Sequence, residues 1–483
     1  MPRSILLLAC AAALLSGCTS MGQLSTAQTP RDPATLSAQR TFGEVSLSPA
    51  AWPDARWWSA FGDPQLDALV EEALANSPTL AIADARARKA QAQAGVADAA
   101  RLPAVGASAQ INGIQLPEGM AGSKVGGKLN VADVLMLSLK FSPDLWGQSR
   151  NRWEAAVDNA HAAEVDAQAA RITLAANVAR TYIALAQAFD VRDAAQAEVA
   201  RSASALRLAE QRQQAGIDNA IAVDAKRSAA ATAQQQAQLT DQRIAALRTA
   251  LATLVGADPD RGLALTRPQL AQPALAIPSG LSSDLLARRA DVVSARWRVE
   301  ATQRGIDASK AAFYPSLNLS AIVGLVSGGL SELFNSKALL LNGGPALSLP
   351  IFEGGLLRSQ LRGSQADHDL AVASYNQTLL IAIREVADAV QAAHALDAQI
   401  ASTTQAQAAA ASAHARVQQR FRAGLATRLD VLGAEQPVLQ LDQLLSSLRA
   451  QRRSASVDLD QALGGGFSST APEQMAPDQT ASK

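Results

Sequence analysis

Four histidines and two cysteines are the residues of this sequence best suited to ligating metal or carrying covalent chemistry. His161, His368, His394 and His414 all fall in stretches of helical character, and the nearest pair, His394 and His414, is 20 positions apart. That separation lacks the short spacing with which histidines close a zinc site. No glycine-rich phosphate loop follows a strand pattern, and no nucleophile elbow is present. The histidines therefore read as helix-surface or interhelix residues, and an enzyme is disfavoured; no catalytic residue, no metal and no cofactor is expected. Cys10 and Cys18 both lie within the first 20 residues. The body of the chain thus has no disulfide framework and no cysteine cluster for metal.

The cysteines do point to one modification. Arg3 supplies a positive n-region, and the apolar run 5–15 is too short to span a bilayer as a stable helix. It ends in Leu15-Ser16-Gly17-Cys18, which resembles the bacterial lipoprotein cleavage box. Cys10 follows Leu8-Ala9, a poorer match with too little apolar sequence before it. The resemblance implies that 1–17 is removed and that Cys18 becomes the first residue and carries lipid. Thr19 follows, not the Asp that tends to retain such proteins at the inner membrane. The implied address is the outer membrane of a Gram-negative bacterium. No other segment reaches about 18 uninterrupted apolar residues, so no helix is expected to cross a membrane. Formal net charge is zero, which gives no bulk field to attract nucleic acid.

The surrounding elements come in duplicate. Residues 74–109 lie on 286–321 without a gap, which sets Pro103 on Pro315 at an offset of about 212. Further on, Gly147, Arg150, Gly216 and Gly256 fall on Gly355, Arg358, Gly424 and Gly464 at an offset of about 208. Each half begins with a helix, 78–101 and 284–312, ended by Pro103 or Pro315. Two strands follow in each half. Val105, Ala107, Ala109 and Ile111 alternate with Gly106, Ser108, Gln110 and Asn112, and Leu135, Leu137, Leu139 and Phe141 alternate with Met136, Ser138, Lys140 and Ser142. In the second half Leu317, Leu319, Ala321 and Val323 share one face, and Leu347, Leu349 and Ile351 share it on the return. Glycines 119, 122, 126 and 127, and then 328, 329, 343 and 344, read as hairpin residues.

Long helices, 152–215 and 357–423, come next, each roughly 100 Å at about 1.5 Å per residue. Leu379, Ile383, Val386, Val390 and Ala393 are spaced four, three, four, three, a coiled-coil seam. Breaks at Gly216 and Gly424 turn each run into a returning helix of about 35 residues. The expected division is a signal peptide 1–17, a tether 18–56, a first repeat 57–256, an equatorial linker 257–283, a second repeat 284–464 and a disordered tail 465–483.

Strands of about ten residues with one apolar face have the length and pattern of transmembrane β-barrel strands. One chain supplies four, too few to close a barrel, and an open sheet edge is not tolerated in lipid. Two chains would give eight strands around a filled interior, whereas three give twelve and leave a lumen. The small polar set Gly106, Ser108, Gln110, Asn112 and Ser138 suits a wet interior. The expected fold is mainly α with a small transmembrane β part. A trimeric twelve-stranded β-barrel, four strands per chain, continues into a long periplasmic α-helical barrel with an internal two-fold repeat.

Several motifs in order carry a family resemblance over 57–464. They are Trp57-Trp58 with Phe61-Gly62-Asp63-Pro64 and Leu66; Ala73-Leu74 with Asn76; Asp144-Leu145-Trp146-Gly147; and Leu285-Leu286-Ala287-Arg288-Arg289 with Asp291. Phe313-Tyr314-Pro315-Ser316-Leu317, Pro350-Ile351-Phe352 with Gly354-Gly355, and Arg420-Phe421-Arg422-Ala423-Gly424 leading into Leu429-Asp430-Val431-Leu432 complete the set. The chain resembles the TolC-like outer membrane factors, most closely the lipoprotein subgroup of multidrug efflux pumps, the NodT/OprM-type proteins.

The resemblance implies a homotrimer in outer membrane lipid that conducts small toxic or drug-like molecules delivered by an inner-membrane transporter, of RND or other type. It also implies that a periplasmic adaptor protein docks on the hairpin tips, here Ala215, Gly216, Ile217 and Asp218 with Ala423, Gly424, Leu425, Ala426 and Thr427. Relatives narrow the pore just past the second tip with a hydrophobic ring and an acidic ring. Leu429 matches the first. The acidic place holds Gly433, with Asp430 and Glu435 nearby as substitutes. Ala290 stands where the family has Pro, a change expected to act on local stiffness. Two other readings are a channel for type I protein secretion and a lipid-anchored coiled-coil adaptor. The adaptor reading fits poorly, because adaptors carry one hairpin flanked by β-rich domains and this chain has two hairpins and little other strand.

Overall fold

The computed structural model describes residues 26–32, 52–274 and 288–468. Cys18, the signal peptide and the tail beyond 468 lie outside the described residues. Helices dominate, with one small sheet, in agreement with the expected class. In chain order the elements are α1 (Pro64–Asn76), α2 (Pro78–Ala99), β1 (Ala104–Gln115), α3 (Glu118–Val125), β2 (Leu129–Phe141), α4 (Gln148–Gln214), α5 (Ala220–Leu254), α6 (Ala290–Ala311), β3 (Ser316–Ser327), β4 (Leu339–Ser348), α7 (Leu356–Arg422) and α8 (Arg428–Ala462).

The duplication is visible in the boundaries themselves. Helix α6 and strand β3 begin and end 212 positions after α2 and β1, while α7 and α8 begin and end 208 positions after α4 and α5. The long helices have 67 residues each and the returning ones 35 each. The slip of four falls between the end of the first strand and the start of the long helix. There the halves also differ in content: α3 joins β1 to β2, whereas a single 3₁₀ turn, Ser336–Ala338, leads into β4. The short helix α3 was read from sequence as hairpin, because Gly119 and Gly122 interrupt its pattern; Gly122 keeps a non-helical φ of 70°. Leu349 and Ile351 lie beyond β4, which stops at Ser348.

Two compact units emerge. One contains the described part of Met1–Pro30, Arg86–Ala163 and Ser294–Asn376, and so holds the sheet. The strands run in the order β1-β2-β3-β4, all antiparallel. Register carries the apolar face across them: Val105 pairs with Leu139, Leu139 with Ala321, Leu137 with Val323, and Val323 with Leu341. Asp133 shares the parity of Leu135 and Leu137 and interrupts that face. On the other face Gly106 pairs with Ser138, and Lys140 with Ser320. Two family motifs meet where the sheet ends. The Trp146 indole N–H donates to the Pro315 carbonyl at 2.7 Å, and its ring stacks on Tyr314 at 4.9 Å. Among the helices of this unit Ile306, Phe313 and Leu361 form a small core, His368 lies 3.2 Å from the Thr302 hydroxyl, and His161 packs on the Trp297 ring.

The second unit holds the described parts of Arg31–Ala85, Glu164–Val293 and Gln377–Lys483. Its core gathers Trp57, Phe61, Leu66, Tyr182 and Leu251. The Phe-Gly-Asp-Pro motif has a structural purpose here. Gly62 turns at φ 67°, Asp63 caps α1 by accepting from the Gln65 amide at 2.9 Å, and Pro64 opens the helix. The Asp63 carboxylate also accepts from the Tyr182 hydroxyl and the Gln269 amide, both at 2.8 Å. Burial pushes the Tyr182 phenol well above its ordinary value. In the seam of α7, Leu379, Val386, Val390 and Ala393 are buried and Ile383 is partly so. Arg289 is buried between Asp291 at 2.7 Å and Glu385 at 2.8 Å, and Ala290 is buried beside it.

Candidate functional site: the hairpin tips

Helices α4 and α7 end in the same turn. Gly216 at φ 70° donates its N–H to the Gln213 carbonyl, and Ile217 donates to Arg212 at 2.9 Å. Gly424 at φ 75° donates to Phe421, and Leu425 donates to Arg420 at 2.8 Å. This pair of bonds is a Schellman motif, which satisfies the last helical carbonyls and needs a left-handed residue where glycine stands. In many such motifs the next side chain folds back onto an apolar neighbour, but here the facing positions are Arg212 and Arg420. Ile217 and Leu425 consequently project outward, 66% and 69% exposed.

The returning helices start with different caps. Asn219 accepts from the Ala222 amide at 3.0 Å at the head of α5. At the head of α8, Thr427 and Asp430 form a capping box: the Asp430 amide donates to the Thr427 hydroxyl, and the Asp430 carboxylate accepts from the Thr427 amide at 2.7 Å. The hydrogen bond from the Thr427 backbone, with that from its hydroxyl, holds the Asp430 carboxyl below the usual carboxylate range. Asp218 is engaged too, paired with Arg212 at 3.1 Å.

The sequence-derived tip residues thus gather on two like turns. Ala215, Gly216, Ile217, Ala423, Gly424, Leu425 and Thr427 are exposed, while Asp218 and Ala426 are half-buried. Leu429 is half-buried on the first turn of α8, next to the buried Val431 and Leu432. Arg201 of α4 reaches this turn and donates to the Leu432 carbonyl at 3.2 Å. Its guanidinium is held above its ordinary value by the Glu198 carboxylate, with Glu435 adding to the field. Of the two candidate acids, Asp430 is therefore occupied as a cap and Glu435 stands in the field of Arg201. Gly433 is exposed, and a Cβ there would meet nothing within 4 Å. Packing does not demand a glycine at that position. Sequence reasoning missed Ile221, 77% exposed at the head of α5. Its type is that of a core residue, and only the structure shows it facing outward.

Comparison with known proteins supplies the wider frame. The outer membrane efflux protein family matches residues 69–257 and 281–465, the two halves separately. The fusaric acid resistance protein FusA of Burkholderia cepacia is 37% identical over 73% of this chain and 67% of its own. The pyoverdine export outer membrane protein OpmQ of Pseudomonas putida is 31% identical over 87% of this chain and 90% of its own. The crystal structure of the outer membrane protein VceC from Vibrio cholerae superposes with a TM-score of 0.77 at 35% identity, covering 86% of this chain and all of that one. Two matched repeats, one fold and one order of motifs place the chain in the outer membrane efflux protein family.

Proposed function

We propose that three copies of this chain form the outer membrane channel of a tripartite efflux pump, and that the chain contributes a conduit and a gate but no chemistry. The observation that carries this is the sheet. It has four strands, an apolar face broken at Asp133 and an opposite face bearing Gly106, Ser138 and Lys140, and among the described residues β1 and β4 each have one neighbour. Lipid does not tolerate open edges, and twelve strands close with room for a lumen. Cargo leaves passively, supplied by an inner-membrane transporter through a periplasmic adaptor. Membership of an efflux family supports this route. Relatives named for fusaric acid resistance and pyoverdine export support small molecules as cargo.

In this reading Ile217, Ile221 and Leu425 form the apolar contact for the adaptor, with Ala215, Gly216, Asp218, Ala423, Gly424, Ala426 and Thr427 shaping it. Leu429 narrows the periplasmic aperture, Asp430 keeps a fixed negative charge beside it, and Gly433 leaves the acidic ring of relatives unfilled. Opening is a shift between two states of the α8 heads, biased by adaptor binding. Cys18 carries the lipid. The test joins docking to conduction. Paired Ile217→Asp and Leu425→Asp should reduce adaptor co-purification by at least about tenfold, with the trimer intact. Leu429→Ala should raise single-channel conductance without adaptor. Unchanged co-purification would remove the tips from the contact, and an unchanged conductance would remove Leu429 from the gate.

A further inference from the structure

Gly433 stands inside α8, where neither packing nor backbone conformation asks for a glycine. A Cβ there would meet nothing within 4 Å, and its φ is not in the left-handed region. Four residues later Pro437 stands inside the same helix, which runs unbroken through both. The spacing joins them. A proline within a helix has no N–H for the carbonyl four residues before it, and its ring presses on that carbonyl. Here that carbonyl belongs to Gly433. One turn of α8 therefore lacks a rung of its ladder and holds the two poorest helix formers. The returning helix of the first half supplies the comparison. At the offset of 208, Gly433 and Pro437 fall on Ala225 and Ala229 of α5, the residue type that favours helix most. Both helices have 35 residues, so only one of a matched pair carries the weak turn.

The weak turn separates two anchored parts. Upstream, Val431 and Leu432 are buried, and Arg201 of α4 donates to the Leu432 carbonyl at 3.2 Å. Downstream, burial resumes at Leu445 and runs to Ala462. No residue from 433 to 444 is buried within the chain. We infer that Gly433 and Pro437 are positioning residues for Leu429: they make a hinge on which 428–432 swings as one piece when the adaptor binds, while the body of α8 and all of α5 keep their places. This rests on the reading of Leu429 as the aperture. The swing takes the head of α8 off its contacts with α4, and the missing rung lowers the resistance of the helix to it. Leu429 stands about 12 Å before Pro437 along the helix. A bend of about 20° at the proline carries it about 4 Å. Movement is thereby confined, in each chain, to the one helix that bears the aperture residue.

The experiment takes two readings on the full-length trimer, amide exchange and single-channel conductance, the second with and without adaptor. Gly433→Ala together with Pro437→Ala makes this turn match α5 and leaves no cavity, since both positions are exposed. Exchange of the amides in 434–441 should slow at least about fivefold, the factor for the glycine alone, while 226–233 in α5 stays as it was. The conductance change that adaptor produces in the wild type should be lost in the double variant, with trimer recovery unaltered. Pro437→Gly, which keeps the turn weak, should retain the response. Unslowed exchange in the double variant, or a full response to adaptor despite slowed exchange, would overturn the hinge. So would loss of the response in Pro437→Gly, which would make Pro437 a contact residue. A wild-type conductance that ignores the adaptor would overturn the aperture reading and the hinge's part in it, and the exchange data would still tell the two failures apart.

Discussion

Asp158 and Asp460 hold their protons more tightly in the folded chain than carboxylates ordinarily do. Burial, with Glu300 next, pushes Asp158 up to about 6 despite Arg304 and His161, and burial alone pushes Asp460 up to about 7. The sign follows from linkage. Between the ordinary carboxylate range and these values the folded state binds more protons than the unfolded state, so stability falls as pH rises and levels off above about 7. The thermal midpoint of the detergent-solubilised protein should therefore drop from about pH 4.5 to about 7.5. Asp460→Asn should flatten the upper part of that curve and raise the midpoint at pH 8; an unaltered slope would show that Asp460 is charged throughout. Such residues were not legible beforehand, because nothing local marks an aspartate as buried. Arg289 illustrates the same point. It stood out in the sequence as part of a motif, but its partner Glu385 lies 96 positions away and the Ala462 carbonyl that it also binds lies 173 away. Asp63 is the contrast, since its place before Pro64 announces a cap within four residues.

Two glycines with similar backbone conformation should respond differently to the same substitution. Gly216 needs a left-handed φ, yet a Cβ there would meet nothing within 4 Å. Gly216→Ala should cost about 1 kcal/mol, the backbone penalty alone. At Gly464, φ is 97° and a Cβ would stand 1.8 Å from the Arg288 carbonyl oxygen, so Gly464→Ala should lower folded yield far more. Equal melting curves for the two variants would disprove the distinction. Helices and turns were the legible level of this protein. Apolar spacing located the seam of α7, and glycines located both breaks, because local periodicity and backbone freedom act within a few residues. Short elements rich in glycine were not legible. The turn Pro259–Ala264, capped by Asp258, also lay in a stretch read as linker. It packs so closely on α5 that a Cβ at Gly262 would come within 2.5 Å of the Arg248 carbonyl oxygen.

For the assembled channel, the two faces of the sheet make opposite demands. Leu137 lies on the apolar face and Ser138 on the other. Leu137→Arg should cost about 2–4 kcal/mol of membrane stability and reduce trimer recovery. Ser138→Arg should leave recovery near wild type and alter ion selectivity. If both variants assembled equally well, the faces would be misassigned. Which residues share a face was legible because alternation along one strand survives pairing with the next, but closure depends on neighbours that a single sequence does not contain. The matched helix lengths carry a further consequence, for evolution and for engineering. A residue gained in α4 has to be answered in α5, and again in α7 and α8, or the two tips lose their common geometry. Change in length is therefore tied fourfold in the helices and left free in the hairpins between strands. The four-residue slip between the halves lies in that free stretch, which makes it the place where new sequence for surface recognition enters most cheaply.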